Sequence, residues 1–211
     1  MKTILCFGDS NTWGYNPVDG SRHSASQRWP GVLRTNLGTG HWIIEEGLNG
    51  RTTVYDDPPT EGRNGKTYLL PCLLTHMPLD LVIVMLGTND LKMKFSSSAY
   101  DISRGLAALV EIILKAGVGR NGTTPEIIIV SPALIIEQAA NRTWEDQYIG
   151  AREKSKQLAR HYQQVANQYG CYFLDAARHI TTSSMDGVHL EASQHKILGG
   201  TLAALVTAVL G

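Results

Sequence analysis

Five short apolar runs, separated by longer segments of mixed polarity, constrain the fold of this chain more than any other feature of its sequence. They cover residues 3–7, 42–46, 80–86, 126–130 and 171–175. Each has strand length, and their β-branched content favours strand over helix. Strands that are apolar on both faces must be covered on both faces, which is the condition of a parallel sheet. Parallel neighbours cannot be joined by tight turns. They need crossovers, which helices usually provide.

The intervening sequence has the required period. Residues 98–115 repeat apolar side chains at Ile102, Leu106, Leu109, Val110, Ile113 and Leu114, and residues 145–169 at Tyr148, Leu158, Tyr162, Val165 and Tyr169. Residues 191–210 place Ile197, Leu198, Thr201, Leu202, Leu205, Val206 and Val209 on one wide stripe, the pattern of a terminal helix lying against a sheet. The expected fold class is α/β, a three-layer α/β/α sandwich on a parallel sheet, formed by one domain over residues 1–211.

Composition removes several functions. Basic and acidic residues balance at 19 each, so no broad field exists to draw in nucleic acid or an anionic membrane. The longest apolar stretch, 202–210, falls short of the ~20 residues a membrane span needs. The run at 3–7 is too short for a signal-peptide core, and a cytoplasmic location is expected. Cys6, Cys72 and Cys171 form no CxxC pair, which points to small buried hydrophobes and no disulfide framework. Neither metal-ligand spacing nor a Walker-type glycine loop occurs, so no metal and no cofactor are expected.

In open parallel sheets ligands bind outside the carboxyl ends of the strands. Reactive residues should therefore cluster just after the apolar runs, and they do. Gly8-Asp9-Ser10 follows the first run and sets a serine hydroxyl on a turn. After the second comes Gly47-Leu48-Asn49-Gly50, where a glycine lets backbone N–H approach a ligand. Gly87-Thr88-Asn89-Asp90 follows the third, with an amide able to donate to the same point. Met185-Asp186-Gly187-Val188-His189 lies after the last run. Asp and His three residues apart on one turn can meet, the carboxylate fixing the imidazole tautomer that accepts a proton from serine. Each block has an ordinary explanation as a turn or helix cap. All four at one sheet edge point to acyl chemistry. The long loops 11–27, 51–65 and 132–144 are expected to wall the substrate site, and Asp9 to hold the turn rather than react.

These blocks resemble, over essentially the whole chain, the SGNH hydrolases, also called GDSL esterases and lipases. The resemblance implies Ser10 as nucleophile, with His189 and Asp186 as base and orienter. It also implies an oxyanion hole of Ser10 N–H, Gly50 N–H and the Asn89 amide, and a sheet of order 2-1-3-4-5. The longer strings Ile4-Leu5-Cys6-Phe7-Gly8-Asp9-Ser10, Thr12-Trp13-Gly14, Arg51-Thr52-Thr53 and Met85-Leu86-Gly87-Thr88-Asn89-Asp90 are similar to the bacterial aryl esterase and acyltransferase branch. That branch includes an acyltransferase active in water and forms octamers, so a homo-oligomer is implied.

Two departures bear on substrate. Asn11 stands where the GDSL signature has leucine, and Leu91 where the acyltransferase has a small polar residue. Asn11, Leu91 and Trp13 are expected to contact substrate, Trp13 as an apolar wall favouring alcohol over water as acyl acceptor. The expected activity is hydrolysis of short-chain aryl or alkyl esters through an acyl-Ser10 intermediate, with possible transfer to alcohols. A carbohydrate O-deacetylase on the same scaffold and a non-catalytic flavodoxin-like binding domain are the alternatives.

Overall fold

All five apolar runs are strands of one parallel sheet in the computed structural model, which describes residues 1–137, 139–140 and 142–211. They are β1 (Lys2–Gly8), β2 (His41–Gly47), β3 (Leu81–Met85), β4 (Glu126–Ser131) and β5 (Tyr172–Asp175), in spatial order β2-β1-β3-β4-β5. Gly8 pairs with Gly47 on one side and Met85 on the other, so three strands finish level at one edge.

Alternation along the strands divides the apolar residues between two cores. Leu5, Phe7, Val82, Val84, Ile127 and Ile129 face one; Ile4, Cys6, Leu81, Ile83, Ile128 and Val130 face the other. A short helix, α1 (Ser10–Trp13), follows β1 directly. On the second core lie α2 (Trp29–Leu37) and α6 (Ala192–Leu210). On the first lie α3 (Gly65–His76), α4 (Ala99–Lys115) and α5 (Ala151–Tyr169). The sequence holds α4 in place at both levels: its stripe is buried, and Ser98 and Asp101 cap its first turn reciprocally. This is the expected three-layer sandwich.

Helices α2 and α3 are not signalled by periodicity. Their buried residues include Pro30 and Gly31 in one and Gly65 and Cys72 in the other, and Pro71 sits inside α3. Such residues read as loop, and packing on the sheet makes them helical. The helix expected over 145–169 begins at Ala151, after a 3₁₀ segment at Arg142–Gln147. Positions 138 and 141 of the expected loop 132–144 lie outside the described residues. The α6 stripe is also displaced: Ile197 is 45% exposed, while His195, Leu198, Gly199, Leu202, Ala203 and Val206 are buried. Gly199 sets this face, because a Cβ there would stand 2.6 Å from that of Val32 on α2. Among the described residues no helix is long and apolar enough to cross a membrane.

Candidate active site

Where β1 ends, Asp9 caps the next turn by accepting from Asn11 N at 2.9 Å. Ser10 is the first residue of that turn. Its Oγ lies 2.9 Å from His189 Nε2, and His189 Nδ1 lies 2.6 Å from Asp186 Oδ2. The other Asp186 oxygen accepts from Val188 N and His189 N, both at 3.0 Å. One carboxylate thus fixes both the ring and the backbone that carries it. Burial pushes the Asp186 carboxyl up, but its hydrogen bonds and its charge interaction with His189 outweigh burial and hold it below its usual value.

Three residues that line the cavity with His189 carry N–H groups able to donate: Ser10, Gly50 and Asn89. Among the described residues the backbone N–H groups of Ser10 and Gly50 have no hydrogen-bond acceptor. Gly50 adopts φ +79°, a left-handed conformation that glycine takes without strain. The Asn89 Nδ2 group donates one hydrogen to Arg51 O at 3.0 Å, leaving the second available, while Tyr148 OH donates to Asn89 Oδ1 at 3.3 Å. The amide is held from both ends. Asp90 braces the same loop: its Oδ1 accepts from Thr53 N at 2.9 Å and from the Thr53 hydroxyl. Ser10, Gly50, Asn89 and His189 line one cavity of about 460 Å³. The structure therefore brings together the five residues Ser10, Asp186, His189, Gly50 and Asn89, and the arrangement has what acyl transfer needs: a hydroxyl beside an imidazole, and donors for a developing oxyanion.

The other three expected contacts are placed elsewhere. Asn11 is a clamp: its Nδ2 donates to Val188 O at 3.3 Å and its Oδ1 accepts from Leu190 N at 3.1 Å, bracketing His189. Leucine has no atoms for either bond. Leu91 is fully buried in the first apolar core. Trp13 does not line the cavity; Arg22 lies 4.9 Å over its ring and donates to its carbonyl at 2.7 Å. The aromatic walls are instead Tyr15, whose ring centroid is 4.1 Å from that of His189, and Trp144, at 6.1 Å. All three long loops contribute, through Tyr15, Arg63 and Trp144. Loop length singled out the segments, but no spacing distinguishes which of their side chains turn inward. Lys92 and Tyr148 also line the cavity and carry no sequence signal for it.

Burial pushes the carboxyls of Asp9 and Asp90 up to about 6, against the opposing hydrogen bonds from Asn11 and Thr53. Away from the cavity, Glu46, Cys72 and His76 bring their ligand-type atoms within 4.8 Å of one another. The carboxylate there is already engaged by His76 Nε2 at 2.8 Å and by Tyr68 OH at 3.2 Å. Burial pushes the Cys72 thiol up to about 12, disfavouring the thiolate that a metal binds. Its His76–Glu46 pair spans separate elements, beyond the reach of spacing rules.

Residues 6–197 match the GDSL-like lipase/acylhydrolase family. The chain is 41% identical to the aryl esterase of M. smegmatis, covering all of both chains, with a TM-score of 0.93. It is 40% identical to Est24, a carbohydrate acetylesterase from Sinorhizobium meliloti, again over all of both chains, with a TM-score of 0.95. At 15% identity and a TM-score of 0.70, a member of the lipolytic G-D-S-L family from Veillonella parvula shares the fold over both full chains. No curated protein matches.

Proposed function

Because the chain belongs to the GDSL-like lipase/acylhydrolase family and is a carboxylic ester hydrolase, we propose that residues 1–211 act as one domain hydrolysing short-chain aryl and alkyl esters through an acyl-Ser10 intermediate. The observation that carries this reading is the continuous hydrogen-bonded line from Ser10 Oγ through His189 to Asp186.

Ser10 Oγ attacks the ester carbonyl as His189 Nε2 takes its proton. The tetrahedral oxyanion accepts from Ser10 N–H, Gly50 N–H and the Asn89 amide. Collapse expels the alcohol, which receives the proton from His189, and leaves acyl-Ser10. Water then attacks this ester with His189 again as base, releasing the acid and the serine. An alcohol in place of water completes acyl transfer. Tyr15 and Trp144 line the path of either acceptor and favour the less polar one.

The near-equal likeness to an aryl esterase and to a carbohydrate acetylesterase supports a second reading, an O-deacetylase acting on acetylated sugars with the same residues. One panel separates the two. Aryl acetates and acetylated monosaccharides are compared by kcat/KM, with and without an added alcohol. Higher kcat/KM on the sugars would replace the aryl preference, and an unchanged product ratio with alcohol would remove acyl transfer. A fluorophosphonate that fails to label Ser10 would overturn the mechanism and favour a binding domain. The proposal includes a homo-oligomer in the cytoplasm, in keeping with exposed Trp42, Leu70 and Leu74 and with three free cysteines. Sedimentation at working concentration tests the assembly.

A further inference from the structure

The protein carries no net charge, yet the wall of its catalytic cavity does. Arg63, Lys92 and Lys94 line it, against one carboxylate on the same wall, Asp57. Among the described residues Lys94 pairs with Asp57 Oδ2 at 2.6 Å, whereas Lys92 and Arg63 have no acidic partner. Lys92 is only 9% exposed. Burial, reinforced by Lys94, pushes its ammonium below the usual lysine value; the charges of Asp57 and Asp9 offset this only in part, and neither carboxylate pairs with it directly.

The two unpaired cations flank the expected oxyanion donors. Arg63 Nε stands 3.2 Å from the place a Cβ on Gly50 would occupy. The Lys92 backbone N–H donates to Asn89 O at 3.2 Å, and its ammonium lies 5.8 Å from the ring of Tyr148, whose hydroxyl holds the Asn89 amide. Reaction at Ser10 therefore proceeds beside two positive groups that, among the described residues, no carboxylate pairs with directly. A solvent-facing lysine needs no partner, but one withdrawn from water into a substrate cavity is relieved by an anion brought in by the ligand.

We infer that this cavity selects esters carrying an anionic group, a carboxylate on the acyl or the alcohol portion, which Lys92 and Arg63 bind beside the Gly50 and Asn89 donors. The inference rests on the esterase reading above and narrows its substrate class. Neutral aryl esters are then incomplete substrates, bound by the aromatic walls alone.

Matched ester pairs test this. Mono-p-nitrophenyl adipate is compared with its methyl ester for a charge on the acyl side, and 4-acetoxybenzoate with methyl 4-acetoxybenzoate for the alcohol side. Each rate is normalised to the spontaneous one. In at least one pair the anionic member should have kcat/KM about tenfold higher in dilute buffer, carried mainly in KM. The ratio should fall toward one in 0.5 M NaCl and in Lys92→Met or Arg63→Gln. Because the salt series uses the wild-type protein, it stands even if a variant does not fold. Ratios of one in both pairs overturn the inference. So does an equal loss on charged and neutral members in the variants, which would assign the cations to the oxyanion instead. Failure of the esterase reading looks different: no member of either pair is turned over and Ser10 takes no label.

Discussion

At the amino end of the sheet Asp80 accepts from Thr3 N at 2.7 Å and from Arg120 Nε and Nη2 at 2.9 Å each, with Lys2 3.7 Å away. At the carboxyl end Asp9 and Asp90 are fully buried, among the described residues no cation is bonded to either, and burial carries both up to about 6. Among the described residues, Thr12 Oγ1 and Asn49 Oδ1 are buried there without a hydrogen-bond partner. The same side chain thus ties two strands and a loop together through paired cations at one end, and at the other is held by hydrogen bonds alone. Unmet polar groups cost stability. They collect where the backbone is arranged for chemistry, and the opposite end carries the satisfied pairs. Stability and function are divided between the two edges of one sheet.

If this division holds, substitutions at the two ends should separate activity from stability. The largest effect belongs to Ser10→Ala, which should lower kcat by about 10⁴-fold or more and abolish fluorophosphonate labelling while leaving Tm within a few degrees. Asn89→Ala should lower kcat by about 10²- to 10³-fold. Loss confined to KM would remove Asn89 from the oxyanion hole. Asn11→Leu should lower kcat by roughly tenfold through a displaced His189, with little change in KM; equal activity would reduce the clamp to packing. At the other end, Asp80→Ala should leave kcat/KM within about twofold and lower stability by about 1–2 kcal/mol in urea unfolding. A large loss of activity there would break the contrast.

A pH dependence of stability supplies a further check. His195 is buried on α6, where its Nδ1 accepts from Trp29 N at 3.2 Å, and burial, with the nearby His23, carries its pKa from 6.5 down to about 3. The fold requires the neutral ring, whereas the unfolded chain takes up the proton near 6.5. This contribution is complete above pH 6.5 and declines as pH falls toward 3. His195→Gln should flatten stability over that window, as read by urea midpoints; an unchanged slope would assign the acid sensitivity to other groups.

Much of the molecule was legible because its determinants are local. Strand runs report burial on both faces, helical period reports one buried face, and Asp186 and His189 meet because three residues of one turn separate them. Asn11, Trp13 and Leu91 were misplaced because proximity to a catalytic block in sequence does not say which way a side chain points: Asn11 turns toward Val188 and Leu190, and Leu91 into the core. Helices α2 and α3 were invisible because their glycines and prolines suppress the periodic signal that packing makes unnecessary.

The sequence by itself determined the layer order of the fold and the chemistry available at the strand ends, since both follow from residue type and short-range spacing. Only the tertiary structure decided that Tyr15, Arg63, Lys92, Trp144 and Tyr148 share one cavity with Ser10. Those residues come from separate loops and helix approaches, and their convergence is set by the packing of α3, α4 and α5 on the sheet. No interval along the chain encodes a distance that arises from three-dimensional packing.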